Sequence, residues 1–182
     1  MKNIIEIAKT LSISAQEKAD LIAFLKQAEE KEETSQPEAK MRDFLAWLKA
    51  SALLSQTIHW AVQGDTFYGD HLLMDRIYQK AGEEIDAYAE KIIPLISQKI
   101  EPLDLVKKTQ EIAAAHFHSV AETEKALTEF LSFEEKLVAA TQEFYQELKE
   151  KDLLTLGLDD LLMKISSSHE ENIYLLQQRM KQ

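Results

Sequence analysis

An all-α bundle of four long helices, joined by two short connections and one crossover, is the architecture this sequence predicts. Three observations carry that expectation. Gly and Pro together number only 7 of 182 residues, too few for strands that turn at every corner. Hydrophobic residues make up 45% of the chain, enough for a sizeable core and against wholesale disorder. Four stretches of 24 to 32 residues repeat their apolar positions with helical spacing.

The elements follow in order. Residues 1–36 form a helical extension, in which Ser14 and Glu17 have the spacing of a capping box. It ends in the charged run Glu29-Glu30-Lys31-Glu32-Glu33-Thr34-Ser35-Gln36, which reads as a solvated helix end or linker. Pro37 suits the first turn of a new helix, so the main domain is expected over 37–182. Its first helix runs from about Glu38 to Gln63, with Phe44, Trp47, Leu48, Leu54, Ile58 and Val62 as its stripe. Gly64-Asp65-Thr66 breaks it, and the second helix runs to about Ile93, where Pro94 stops it. A shorter helix starts near Pro102 and runs towards His118. The third long helix covers about Val120 to Lys151, Gly157 punctuates the chain, and the fourth covers about Leu158 to Met180. The tight turn makes the first two helices antiparallel neighbours, and the long connection carries the chain back across the bundle. That is the ferritin-like arrangement.

Composition removes several function classes. With no Cys, disulfide frameworks, thiolate zinc sites and thiol catalysis are excluded. The net charge of −11 repels a phosphate backbone. No apolar run reaches membrane-spanning length, and Met1 to Thr10 lacks the apolar core of a signal peptide. A soluble, cytoplasmic protein is expected.

The second long helix carries an unusual polar stripe. At about 100° per residue, His71, Asp75, Asp86 and Glu90 share one face, and Leu73, Ile77, Ile85, Tyr88 and Ile92 lie roughly opposite. His71 with Asp75, and Asp86 with Glu90, are i, i+4 pairs, each able to share an ion. The 11 residues from Asp75 to Asp86 span about 16 Å of helix, so one ion cannot touch both pairs. Across the turn at Gly64, His59 can face His71 and Asp75. The missing carboxylates can come from Asp86 and Glu90 of a second, two-fold related copy. Imidazole and carboxylate in this mixture suit Fe(II) or another divalent metal.

His59-Trp60-Ala61-Val62-Gln63-Gly64, followed by Phe67, His71, Asp75, Asp86 and Glu90, resembles the signature of the Dps miniferritins, named for DNA protection during starvation. The five ligand-type residues follow that family's spacing of 12, 4, 11 and 4. The resemblance extends over about residues 38 to 182. It implies a hollow dodecamer in which iron is oxidised, preferentially by hydrogen peroxide, and stored as a ferric mineral. It also implies ferroxidase centres at two-fold interfaces, with His59, His71 and Asp75 from one subunit and Asp86 and Glu90 from its partner. Trp60 would be the aromatic beside the centre, and Asp159 and Asp160 would lie near an iron-admitting pore. A larger ferritin normally carries Glu-x-x-His within a subunit, and no His here has Glu three residues before it.

Other histidines read as structural. His116 and His118 point to different sides of a helix, and His169 falls on the apolar stripe of Ile165, Ile173 and Leu176, as a satisfied buried histidine would. Asp159 and Asp160 open a helix, where carboxylates also suit the dipole. Two other functions remain in view, a nucleoid-type DNA-binding protein and a non-catalytic docking bundle. A basic tail would favour the first, but residues 1–36 hold 5 Lys against 7 acidic residues, so weak or absent DNA binding is expected. A lost ligand would favour the second, and none is missing.

Overall fold

The computed structural model describes residues 14–181, and of residues 26–36 only the backbone. The reading of Met1–Thr10 therefore lies outside the described residues, as do the side chains of the charged run. The described residues contain helices and no strand: α1 (Ala15–Ala61), α2 (Phe67–Ile92), a 3₁₀ turn (Ile93–Leu95), α3 (Pro102–His116), α4 (Thr123–Glu150) and α5 (Leu156–Arg179). No helix among them is long and apolar enough to cross a membrane.

The chain divides into two compact units between Ala39 and Lys40. In the first, Ser14 and Glu17 form the expected capping box. The Ser14 hydroxyl and backbone N–H donate to the Glu17 carboxylate at 2.7 and 2.9 Å, and the Glu17 N–H donates back to the hydroxyl at 3.3 Å. These bonds hold the Glu17 carboxyl below its ordinary pKa. Pro37 does not open a new helix, because it lies inside α1. A proline removes one backbone donor from a helix. Strong helix formers flank it, with Glu29 to Glu33 before and Glu38-Ala39-Lys40-Met41 after, and their propensity carries the helix through.

In the second unit four helices share one core. Phe44, Leu45, Leu48 and Ile58 of α1 meet Met74, Ile77 and Tyr88 of α2. Leu127, Phe130 and Leu137 of α4 and Leu162, Ile165 and Leu176 of α5 complete it. Each such side chain contributes about 1.5–3 kcal/mol by leaving water. The Phe44 ring meets Tyr88 edge-on at 5.0 Å and stacks on Phe144 at 5.2 Å. The Tyr88 hydroxyl donates to the Met41 carbonyl at 3.1 Å, and burial raises its pKa well above the ordinary value. In the crossover between α2 and α4, α3 adds Ile112 to the core.

Buried positions along α2 are Asp70, Met74, Ile77, Ala81, Glu84, Tyr88 and Ile92, a continuous inward stripe at steps of three and four. Asp86 and Glu90 are exposed, and His71 and Asp75 are half-buried. The helix thus separates its two faces as the angular reading predicts, apart from two carboxylates, Asp70 and Glu84, that turn inward.

Gly157 does not punctuate the chain. It sits in the first turn of α5, where the Thr155 side chain caps the Leu158 N–H at 3.2 Å. A Cβ at Gly157 would stand 3.0 Å from Lys91 Nζ, so the glycine leaves room for that side chain.

Candidate metal centre

The turn between α1 and α2 reverses the chain in five residues, with Gly64 at φ +97°, a conformation other residues rarely adopt. It brings His59, near the end of α1, against His71 on α2. The two imidazoles stack with centroids 3.8 Å apart, and Phe67 stacks on His71 at 5.1 Å. Each ring bonds to the other residue's backbone: His59 Nδ1 lies 3.0 Å from the His71 carbonyl oxygen, and His71 Nδ1 lies 3.0 Å from that of His59. A carbonyl oxygen only accepts. Both Nδ1 atoms therefore donate, which leaves Nε2 as the ring atom that a metal would take.

Asp75, one turn after His71 on α2, approaches His59. Its Oδ1 lies 4.0 Å from His59 Nε2, a gap that one ion with bonds of about 2.1 Å bridges at a wide angle. Its other oxygen accepts from Gln79 at 2.9 Å. Asp86 and Glu90 lie further along α2, beyond reach of the same ion by the helical rise. Among the described residues of one chain, no three His, Asp or Glu side chains gather as a metal cage. His59, His71 and Asp75 are all half-buried on this side of the chain. Trp60, beside His59, is 69% exposed.

Polar ties fix this turn to the rest of the bundle. Arg179 at the end of α5 donates from Nε to buried Asp70 at 2.5 Å, and from one terminal nitrogen to Asp70 and Thr66 at 3.0 Å. The same nitrogen reaches Glu124 at the start of α4. These bonds to Asp70 and Glu124 raise the pKa of the guanidinium further. Thr123 Oγ1 accepts from the Gln63 N–H at 3.2 Å. The turn is therefore held from α4 and α5, and the histidines inherit its geometry.

His116 stacks on Trp47 at 5.2 Å. Burial and nearby Lys136 lower its pKa. His118 pairs with Glu129 at 3.3 Å. Asp160 pairs with Lys164 at 2.6 Å, and Asp159 bonds to Tyr145, raising the tyrosine's pKa.

His169 is buried, as its stripe position predicts, but in charged company. Its Nδ1 lies 2.6 Å from Glu134 Oε2, and its Nε2 lies 3.2 Å from Glu84 Oε2. Ser51 donates to Glu134 at 2.8 Å and Asn172 at 3.1 Å. Burial opposes a charged imidazole, yet the carboxylates of Glu134 and Glu84 outweigh it and push the pKa up to about 10. The sequence reading missed Glu84 and Glu134. Their signal is positional: Glu84 stands at stripe spacing between Ala81 and Tyr88, and Glu134 between Phe130 and Leu137.

No family model and no curated protein sequence matches this chain. Solved structures do. Dps from Thermosynechococcus elongatus superposes with a TM-score of 0.69 at 19% identity, covering 80% of this chain and 90% of that one. Mycobacterium smegmatis Dps in its tetragonal form gives 0.69 at 18%, covering 83% and 90%. Cobalt-soaked Listeria innocua Dps gives 0.68 at 19%, covering 80% and 92%. At such identities the likeness concerns the fold alone: this chain shares the ferritin-like four-helix-bundle fold of those Dps structures.

Proposed function

We propose that the protein is an iron-oxidising and iron-storing miniferritin. The observation that carries this reading is the stacked pair His59 and His71, whose Nδ1 atoms are committed to backbone carbonyls while His59 Nε2 stands 4.0 Å from Asp75. Iron is the substrate. Two Fe(II) ions lose one electron each, and one hydrogen peroxide takes up both as its O–O bond breaks. With two waters the products are two units of ferric oxyhydroxide and four protons. His59, His71 and Asp75 of one subunit hold the iron, with Asp86 and Glu90 of a two-fold partner supplying the remaining carboxylates. Trp60, exposed beside His59, would intercept stray oxidising equivalents. Capturing Fe(II) before it meets peroxide in solution protects against oxidative damage.

The assembly follows from the incomplete shell. A dodecamer built from two-fold dimers would complete each centre and enclose a cavity for mineral. Leu103 and Val106 on α3 are exposed beside an apolar groove lined by Leu53, Leu54, Leu105 and Phe117, a surface suited to burial between subunits. Asp159 and Asp160, beside exposed Leu156 at the start of α5, would form the acidic lip of an iron-admitting pore. The unit Lys40–Gln182 carries all these features.

Two measurements test the proposal. Fe(II) oxidation followed optically should be faster with peroxide than with dioxygen, and equal rates would remove the peroxide assignment. A His71→Ala/Asp75→Ala variant and an Asp86→Ala/Glu90→Ala variant, each nearly inactive alone, should regain activity when refolded together. If mixed oligomers form and activity stays absent, the shared-centre assignment is wrong.

A further inference from the structure

We propose that His169 and Glu84 form a second, intra-subunit cation site at the centre of the bundle, binding one divalent ion of the Zn(II) or Fe(II) kind. Glu134 is the carboxylate that orients its imidazole. This site is independent of the shared centre and needs no partner subunit.

The first observation is a pair of unsatisfied atoms. Glu84 Oε1 and His169 Nε2 are buried and make no hydrogen bond, although Glu84 is 7% exposed and His169 1%. Glu84 Oε2 stands 3.2 Å from Nε2, but off the line an N–H would take. Stranded buried polar atoms are costly, and these two belong to side chains already in contact through the other Glu84 oxygen. A separation of 3.2 Å is that of two donors each about 2.1 Å from one ion, at an angle of about 100°.

The second observation is the shell behind the ring. Glu134 accepts from His169 Nδ1 at 2.6 Å, which leaves Nε2 as the ligand atom. Glu134 is itself fixed, accepting from Ser51 on α1 and Asn172 on α5. Its oxygens are therefore committed to orienting the imidazole. The direct protein ligands are then two, His169 and Glu84, with water completing the shell. This agrees with there being no three-residue cage among the described residues.

Charge supplies the third argument. Glu84 and Glu134 bring two negative charges into the core, and a protonated His169 offsets one of them. A divalent ion bound to neutral His169 offsets both, and unbalanced buried charge is strongly disfavoured. Imidazole with carboxylate selects borderline ions such as Zn(II) and Fe(II) over Mg(II) or Ca(II).

Zinc binding by the full-length assembly tests this. The His59→Gly/His71→Gly variant, which removes the outer centre, is dialysed against zinc and analysed for bound metal. One zinc ion per chain should remain at saturation. Adding Glu84→Gln or His169→Gln should abolish it, whereas Glu134→Gln should weaken it by about 10- to 100-fold. No retained zinc, or retained zinc indifferent to Glu84 and His169, overturns the site. Should those substitutions prevent folding, anomalous diffraction at the zinc edge from crystals of the unmutated protein gives the answer. A peak bridging His169 Nε2 and Glu84 is expected, and its absence at saturating zinc overturns the proposal.

Discussion

Two histidine environments in this molecule stand in opposition. His59 and His71 bond through Nδ1 to each other's backbone carbonyls beside the turn between α1 and α2. His169 is walled in by carboxylates from two neighbouring helices. The outer pair is held by hydrogen bonds that any folded version of the turn supplies, and few core contacts depend on it. The inner histidine is part of how the four helices tolerate buried charge. The difference teaches that a polar side chain committed to ligand chemistry can be lifted out of the folding problem, whereas one at the core joins it.

The comparison breaks first at His169. In metal-stripped protein, His169→Ala leaves Glu84 and Glu134 facing each other without a cation. Loss of one partner from a buried ion pair costs about 3–5 kcal/mol, and chemical denaturation should read a loss of that size. A midpoint within error of the parent would mean that the centre is wetter than its burial indicates.

The outer pair should answer in the other currency. His59→Gly with His71→Gly should slow Fe(II) oxidation about 100-fold, comparable to losing a well-placed catalytic group. Helical content by circular dichroism should be retained, since a helix-interior glycine costs only about 1 kcal/mol. Parent-like oxidation in the double variant would remove the assigned centre.

A pH series sharpens the contrast with a smaller effect. The folded-state pKa of His169, about 10, lies above the ordinary value near 6.5. The charged ring therefore contributes its full stabilisation below about pH 6.5, and that contribution is lost as pH rises towards 10. Groups facing the ring are Glu84 from α2 and Glu134 from α4, with uncharged Ser51 and Asn172 behind. Metal-free protein should lose about 1 kcal/mol per pH unit inside that window, and His169→Gln should flatten the dependence. The same slope in both proteins would assign the loss to other groups.

The smallest expected effect is on DNA. A net charge of −11 per chain opposes a phosphate backbone. A gel-shift titration of iron-free protein at pH 7 should show no retention of duplex DNA. Sub-micromolar retention without added divalent metal would refute the acidic-surface argument.

Much of this architecture was legible in the sequence because helices announce themselves by period. The stripe of Ile77, Tyr88 and Ile92 faces the core, and the His71, Asp75, Asp86 and Glu90 face lies away from it. His59 and His71 meet because a five-residue turn leaves antiparallel helices no other course. The reciprocal carbonyl bonds were not legible, since they depend on the rotation of α1 against α2 within a fraction of a turn. Glu84 and Glu134 escaped notice because polarity alone placed them outside, and only their position in the buried stripes of α2 and α4 betrays them. Pro37 misled through its usual meaning as a breaker, when helix formers on both sides carry the helix past it.

The outward placement of the His59–His71 clasp has a consequence for how such a chain drifts under mutation. A ligand set that contributes little to folding is guarded only by selection for its chemistry. On the proposed reading, relaxed selection would let substitutions at His71, Asp75, Asp86 and Glu90 accumulate while the bundle still folds. At Glu84, Glu134 and His169 the folding barrier itself resists change, and replacement there requires several residues to move together. Among descendants of this sequence, the inner cluster should therefore persist or vanish as a unit, while the outer one erodes residue by residue.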